Sequence, residues 1–160
     1  MTDAAVWTVD EPWLHVLPAT ADIPVRQAFP AAGTSAVVVL DANRMANTEL
    51  LFEQFDRGLR FPEYFGWNWD ALLDCLRDLS WFPADGYLIV ITNADRLLAD
   101  EPAEREVLFR VLRHAARNWA RPVGSAGVPF NVLLTGRTEL IELGADRATC
   151  DDSRHEPGQP

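Results

Sequence analysis

The sequence predicts an α/β fold, a small three-stranded parallel sheet packed with helices. Three observations carry this. Short apolar runs at residues 36–41 (AVVVLD), 86–92 (GYLIVIT) and 130–134 (FNVLL) have the length and composition of strands. The stretches between them repeat their apolar residues at three- and four-residue steps, the helical period. The order is then strand, two helices, strand, helix, strand, which requires parallel pairing through right-handed crossovers.

Residues 1–35 come first, a segment broken by Pro12, Pro18, Pro24 and Pro30. Prolines at that frequency exclude a helix and leave either an added strand or an extended arm. The run 36–41 reads as a strand buried on both faces. Asn47 or Thr48 caps the first helix, whose stripe is Leu51, Phe55 and Leu59, with Gly58 near its end and Phe61-Pro62 forcing an extended exit. The second helix spans about residues 68–79 on Trp69, Leu72, Leu73, Leu76 and Leu79. The third starts near Pro102, with Val107, Leu108, Val111, Leu112, Ala115 and Trp119 inward. Its acids Glu101, Glu104 and Glu106 come early and Arg110, Arg113, Arg117 and Arg121 late, as the helix dipole favours. The domain is expected over 36–140, followed by a polar, disordered tail at 141–160.

The chain has 160 residues and 48% of them are hydrophobic, enough for one domain with its own core. Cys75 and Cys150, far apart, point to a reducing compartment. The N-terminus MTDAAVWTVDEPW lacks the basic and apolar regions of a secretory signal, and no apolar run is long enough to cross a membrane. A cytoplasmic location is therefore expected. Acids number 24 and bases 14, all arginine, for a net charge of −10. Such a chain repels nucleic acid and attracts basic partners.

The information is concentrated in residues 61–79, FPEYFGWNWDALLDCLRDL. Phe61, Tyr64, Phe65, Trp67 and Trp69 crowd around Gly66, and Asn68 is a natural helix cap. Asp70, Asp74 and Asp78 then follow at four-residue steps and form one ridge, away from the apolar stripe. Asp70 gains from the helix dipole, but Asp74 and Asp78 do not, and like charges at that spacing cost roughly 0.2–0.5 kcal/mol per pair. Arg77 on the same side offsets part of this. Helix stability thus does not explain Asp74, and an aromatic–glycine–aromatic approach beside an acidic ridge favours an interface. Trp67 is either an anchor of that interface or a staple against the helix.

The stretch FPEYFGWNWDALLDCL, residues 61–76, resembles the signature of the barstar family, intracellular inhibitors of the ribonuclease barnase. The element order over residues 36–135 fits the same family. The resemblance implies a three-stranded parallel sheet packed with helices. It also implies stoichiometric occlusion of a ribonuclease active site by acids that take the place of RNA phosphates, and so an immunity protein of the toxin–antitoxin kind. By position, Asp74 matches the chief acidic contact, Asp70 a second, Tyr64 an aromatic at the nuclease rim, and Gly66 and Asn68 contacts in the loop before the helix. The chain departs from the pattern at Leu73, where the family has Trp, at Trp67 and Trp69, and at Arg77, in place of a small polar residue. A later acid used by the family has only Glu104 and Glu106 as candidates, by location.

Other chemistry finds less support. Cys75 lies on the apolar side of its helix, as a core residue does. His15, His114 and His155 do not form a triad with a nucleophile, and no Cys/His cluster has zinc-ligand spacing. Asp70 and Asp74 as magnesium ligands lack convergent partners. No catalytic residue, cofactor, nucleic acid or membrane is expected, and the free protein is expected to be a monomer. The alternative function is a barstar-like module that binds a basic protein other than a nuclease.

Overall fold

The computed structural model describes residues 7–18 and 34–141. In chain order these form β1 (Leu14–Pro18), β2 (Ser35–Asp41), α1 (Thr48–Leu59), α2 (Trp69–Asp78), β3 (Gly86–Thr92), α3 (Arg105–Ala120) and β4 (Phe130–Gly136), joined by short 3-10 turns. The predicted tail from 142 onward and residues 1–6 and 19–33 of the N-terminal segment lie outside the described residues.

All strand pairs are parallel, in the order β1-β4-β3-β2. The sheet therefore has four strands, not three. The extra strand is β1, paired with β4 from Leu14↔Val132 to Pro18↔Gly136. Its prolines sit where they do least harm, Pro12 ahead of the strand and Pro18 at its end on the sheet's edge. The other edge is β2, which changes its burial. Val38 and Leu40 are buried, whereas Val39 is 62% exposed. The expectation of a strand buried on both faces fails there, because Val39 lies on the face opposite the three helices, which at this edge of the sheet has no cover among the described residues. The interior strands β3 and β4 do show it.

One sheet face, carrying Val38, Leu40, Tyr87, Ile89, Ile91, Val132 and Leu134, shares a core with the buried residues of all three helices. Leu88, Val90 and Leu133 belong to the opposite face. There the buried Asn131 amide donates to Thr8 O at 3.0 Å and pairs through Oδ1 with His15 Nε2 at 2.9 Å, so its polar atoms are satisfied.

The helices are mutually parallel. Trp69, at the start of α2, lies 5.1 Å ring to ring from Phe52 early in α1, while Trp81, just past α2, donates its indole N–H to Leu59 O at the end of α1. Likewise Trp69 Nε1 reaches Glu104 just ahead of α3, and Trp119 Nε1 reaches Leu76 O near the end of α2. Gly58 is the penultimate residue of α1, near its end as expected. A Cβ there would fall 2.7 Å from Leu40 Cδ2, so the glycine lets α1 close onto β2. The helix ends with Arg60 in the left-handed conformation. At α3 the first turn, Pro102–Glu104, is 3-10, and Phe109 and Ala116 join the predicted inward residues.

Candidate protein-binding face

Because α1 and α2 are parallel, residues 60–68 must return along the length of α1 before α2 can begin. Two buried phenylalanines fasten this return. Phe61 and Phe65 meet edge to face with ring centroids 4.8 Å apart, Phe65 also meets Phe52 at 6.1 Å, and Phe61 meets Trp81 at 6.1 Å. Phe65 N–H closes a tight turn onto Pro62 O. Between the two anchors the turn pushes Tyr64 outward, 73% exposed.

Trp67 follows with φ +55°, a conformation that side chains resist at a cost of about 1–3 kcal/mol. Its ring lies 5.5 Å from Phe65, yet the residue remains 47% exposed. Trp67 is thus both packed and presented. Asn68 accepts from Ala71 N–H at 2.8 Å as the cap of α2 and donates back to Gly66 O at 3.2 Å. A Cβ on Gly66 would lie 3.3 Å from the Asn68 amide, so a side chain there would press on the cap.

The carboxylates stand on this frame. Asp70 is exposed in the first turn of α2 and makes no hydrogen bond or ion pair among the described residues. Asp74, one turn on, accepts from Arg77 Nη2 at 2.7 Å, with side chains 69% and 39% exposed. Arg77 therefore does more than dilute the ridge charge; it is bonded to the central acid. Tyr64, Gly66, Trp67, Asn68, Asp70 and Asp74 are all exposed residues of the segment entering α2 and of its outer side.

Of the two later acids, Glu104 accepts from Trp69 Nε1 at 2.9 Å and so holds the start of α2 against that of α3, while Glu106 is exposed. The Trp69–Glu104 bond is the feature sequence reasoning missed. Its signals were present: the cap at Asn68 and the proline at 102 each mark a helix start, and parallel helices bring those starts together. Cys75 is buried, and burial followed by the charge of Asp74 raises its thiol to about 11, so it stays protonated and unreactive. Among the described residues no three His, Cys, Asp or Glu side chains converge as metal ligands, and no helix is long and apolar enough to cross a membrane.

The face can bury two aromatic rings against a protein while offering carboxylates to cations. No curated protein matches the sequence. The family model described as barstar, the barnase inhibitor, matches residues 35–135, which run from the first residue of β2 almost to the end of β4 and contain the whole of this face. The motif, the parallel sheet with its three helices and this match agree, and the chain belongs to the barstar family.

Proposed function

We propose that the protein is a stoichiometric inhibitor of, and confers immunity to, a ribonuclease. It covers the active site with Asp70 and Asp74 in the place of RNA phosphates, without catalysis and without a cofactor. Tyr64 and Trp67 pack on the rim of the nuclease site, and Gly66 and Asn68 shape the approach. It acts in the cytoplasm, as a monomer until it meets its target.

The observation that carries the reading is the setting of Asp70 and Asp74. Both are exposed on a helix whose start is held by the Asn68 cap, the Phe65 anchor and the Trp69–Glu104 bond. Carboxylates held in advance lose little freedom on binding, which favours tight capture of a cationic site. The net charge of −10 adds long-range attraction to a basic nuclease.

The test is affinity capture from the source organism's extract and culture medium. The baits are the wild-type chain and the Asp70→Ala/Asp74→Ala double variant. A ribonuclease retained only by the wild type, and inactive on RNA until released, is the expected result. A partner retained equally by both baits sinks the phosphate-mimic role. A basic partner without nuclease activity means the family's surface serves as a binding module instead.

A further inference from the structure

The acidic ridge contains one cation that phosphate mimicry does not call for. Arg77 lies seven residues after Asp70, two turns along the same stripe of α2, and three after Asp74. Its Nη2 donates to Asp74 Oδ1 at 2.7 Å. Both side chains stand in solvent, and an exposed pair of this kind adds little to folding stability. The fold therefore gives no account of it. The other guanidinium nitrogens of Arg77 form no hydrogen bond among the described residues, so most of its donor fork faces outward.

The pair matters once a partner excludes water from this face. The carboxylate that is to meet a nuclease cation already holds one. The guanidinium then lies beside Asp74, one turn on from Asp70, as a positive charge set against a positive site. Like charges brought together in a dry interface weaken binding strongly, and repulsion of this kind separates right partners from wrong ones. A partner that placed a carboxylate against Arg77 would reverse the effect, because the planar fork can hold Asp74 on one side and a second carboxylate on the other.

We propose that Arg77 is a specificity determinant of this face. It occupies Asp74 and disfavours any ribonuclease whose phosphate-gripping site presents cations alone. The ribonuclease that fits sets a carboxylate against Arg77, beside the cation that meets Asp74. This inference rests on the inhibitor reading and concerns which nucleases that inhibitor accepts.

The probe is purified barnase, the enzyme for which the family is described. Its hydrolysis of RNA is titrated with the wild-type chain, Arg77→Ala, Arg77→Gln, Asp74→Ala and the Arg77→Ala/Asp74→Ala double variant. Thermal melts of each establish that this exposed site leaves the fold intact. Arg77→Ala is expected to inhibit at concentrations about tenfold or more below those the wild type needs. Arg77→Gln keeps the length without the charge and should give a similar gain. Adding Asp74→Ala should abolish the gain. Arg77 variants no better than the wild type, including the case in which none of them inhibits, overturn the inference. A gain that persists without Asp74 overturns the claim that Arg77 acts by occupying it. Failure of the inhibitor reading looks different: the captured ribonuclease is then retained equally with and without Asp74. If removing Asp74 weakens that capture while Arg77→Ala leaves barnase inhibition unchanged, only the role of Arg77 falls.

Discussion

The segment from Arg60 to Asn68 and the segment from Arg121 to Pro129 have the same length, and each carries the chain away from the end of a helix. The first is pinned by buried Phe61 and Phe65, turned by left-handed Arg60 and Trp67, and closed by the Asn68 cap. The second is largely exposed. Val123 has no cover at all, the left-handed Gly124 has open space around it, and the segment is tied to α3 at its two ends, by Arg121 N–H to Arg117 O and Val128 N–H to Trp119 O. A chain that only has to connect needs no core of its own. The first segment has one, and it uses the residues between its anchors to hold Tyr64 and Trp67 out in solvent. Aromatic rings kept in water beside two buried ones are what the proposed interface requires.

The sharpest way to break this contrast is Phe65→Ala. Removing a buried phenylalanine costs about 3–5 kcal/mol of stability. Here it should also release Trp67 and the approach to α2, so that inhibition of the captured ribonuclease falls by more than the unfolded fraction explains. Val123→Ala, measured by the same denaturant titration, should stay within about 0.5 kcal/mol of the wild type. Equal losses for the two would mean the segments are not built differently.

A smaller effect separates presentation from packing. Tyr64→Ala should leave the melting temperature unchanged, because the ring touches solvent rather than core. Its affinity for the ribonuclease should drop by about 1–2 kcal/mol, the range of a contact aromatic at an interface. Isothermal titration beside a thermal melt reads both, and a stability loss without an affinity loss would make Tyr64 a structural residue.

The smallest expected effect lies at the far end of β2. Asp41 accepts from Asn93 Nδ2 and Asn43 N–H, and these bonds, the Asn93 bond foremost, hold its carboxyl below the usual carboxylate range. A carboxyl lowered by folding stabilises the fold above its unfolded value, roughly 3.9, and loses that contribution as pH falls through the lower folded value. Asn93→Gly, which removes the amide but suits the left-handed backbone at φ +54°, should therefore reduce stability at neutral pH slightly and flatten its acid-side decline. Urea titrations at pH 7 and pH 3 test this, and an unchanged difference between the two would remove Asn93 as the cause.

The fold was legible where one physical rule acted alone. The apolar run at 86–92 coincides with β3 residue for residue because an interior strand is buried on both faces. The Asn47 and Asn68 caps mark true helix starts because the chain must satisfy free amides there. The sequence misled where a second rule competed. Val39 looks like its buried neighbours, but Val38 and Leu40 face the helices while Val39 lies on the other face of an edge strand, where it has no cover among the described residues. Leu14–Pro18 is bracketed by prolines that argue against pairing, and an edge position is what tolerates them. At the site, the ridge of aspartates follows from spacing alone, as does the placement of Arg77 on its side. The three-residue spacing allows the bond between Arg77 and Asp74 but does not show that it forms, because an exposed arginine can turn to water instead. Trp69 was legible as an apolar stripe residue but not as a donor to Glu104, which requires knowing that α2 and α3 run the same way.

The pairing of β1 with β4 carries a consequence for anyone who shortens the chain. The family match begins at residue 35, and a protein trimmed to that boundary would lose Leu14–Pro18. Every residue of β4 is buried, and β1 occupies its outer rim. Without β1, that rim would offer bare amides and carbonyls along a straight apolar strand, a template on which a second molecule can add its own strand. The trimmed protein would retain the exposed face of α2 and gain a tendency to self-associate and precipitate.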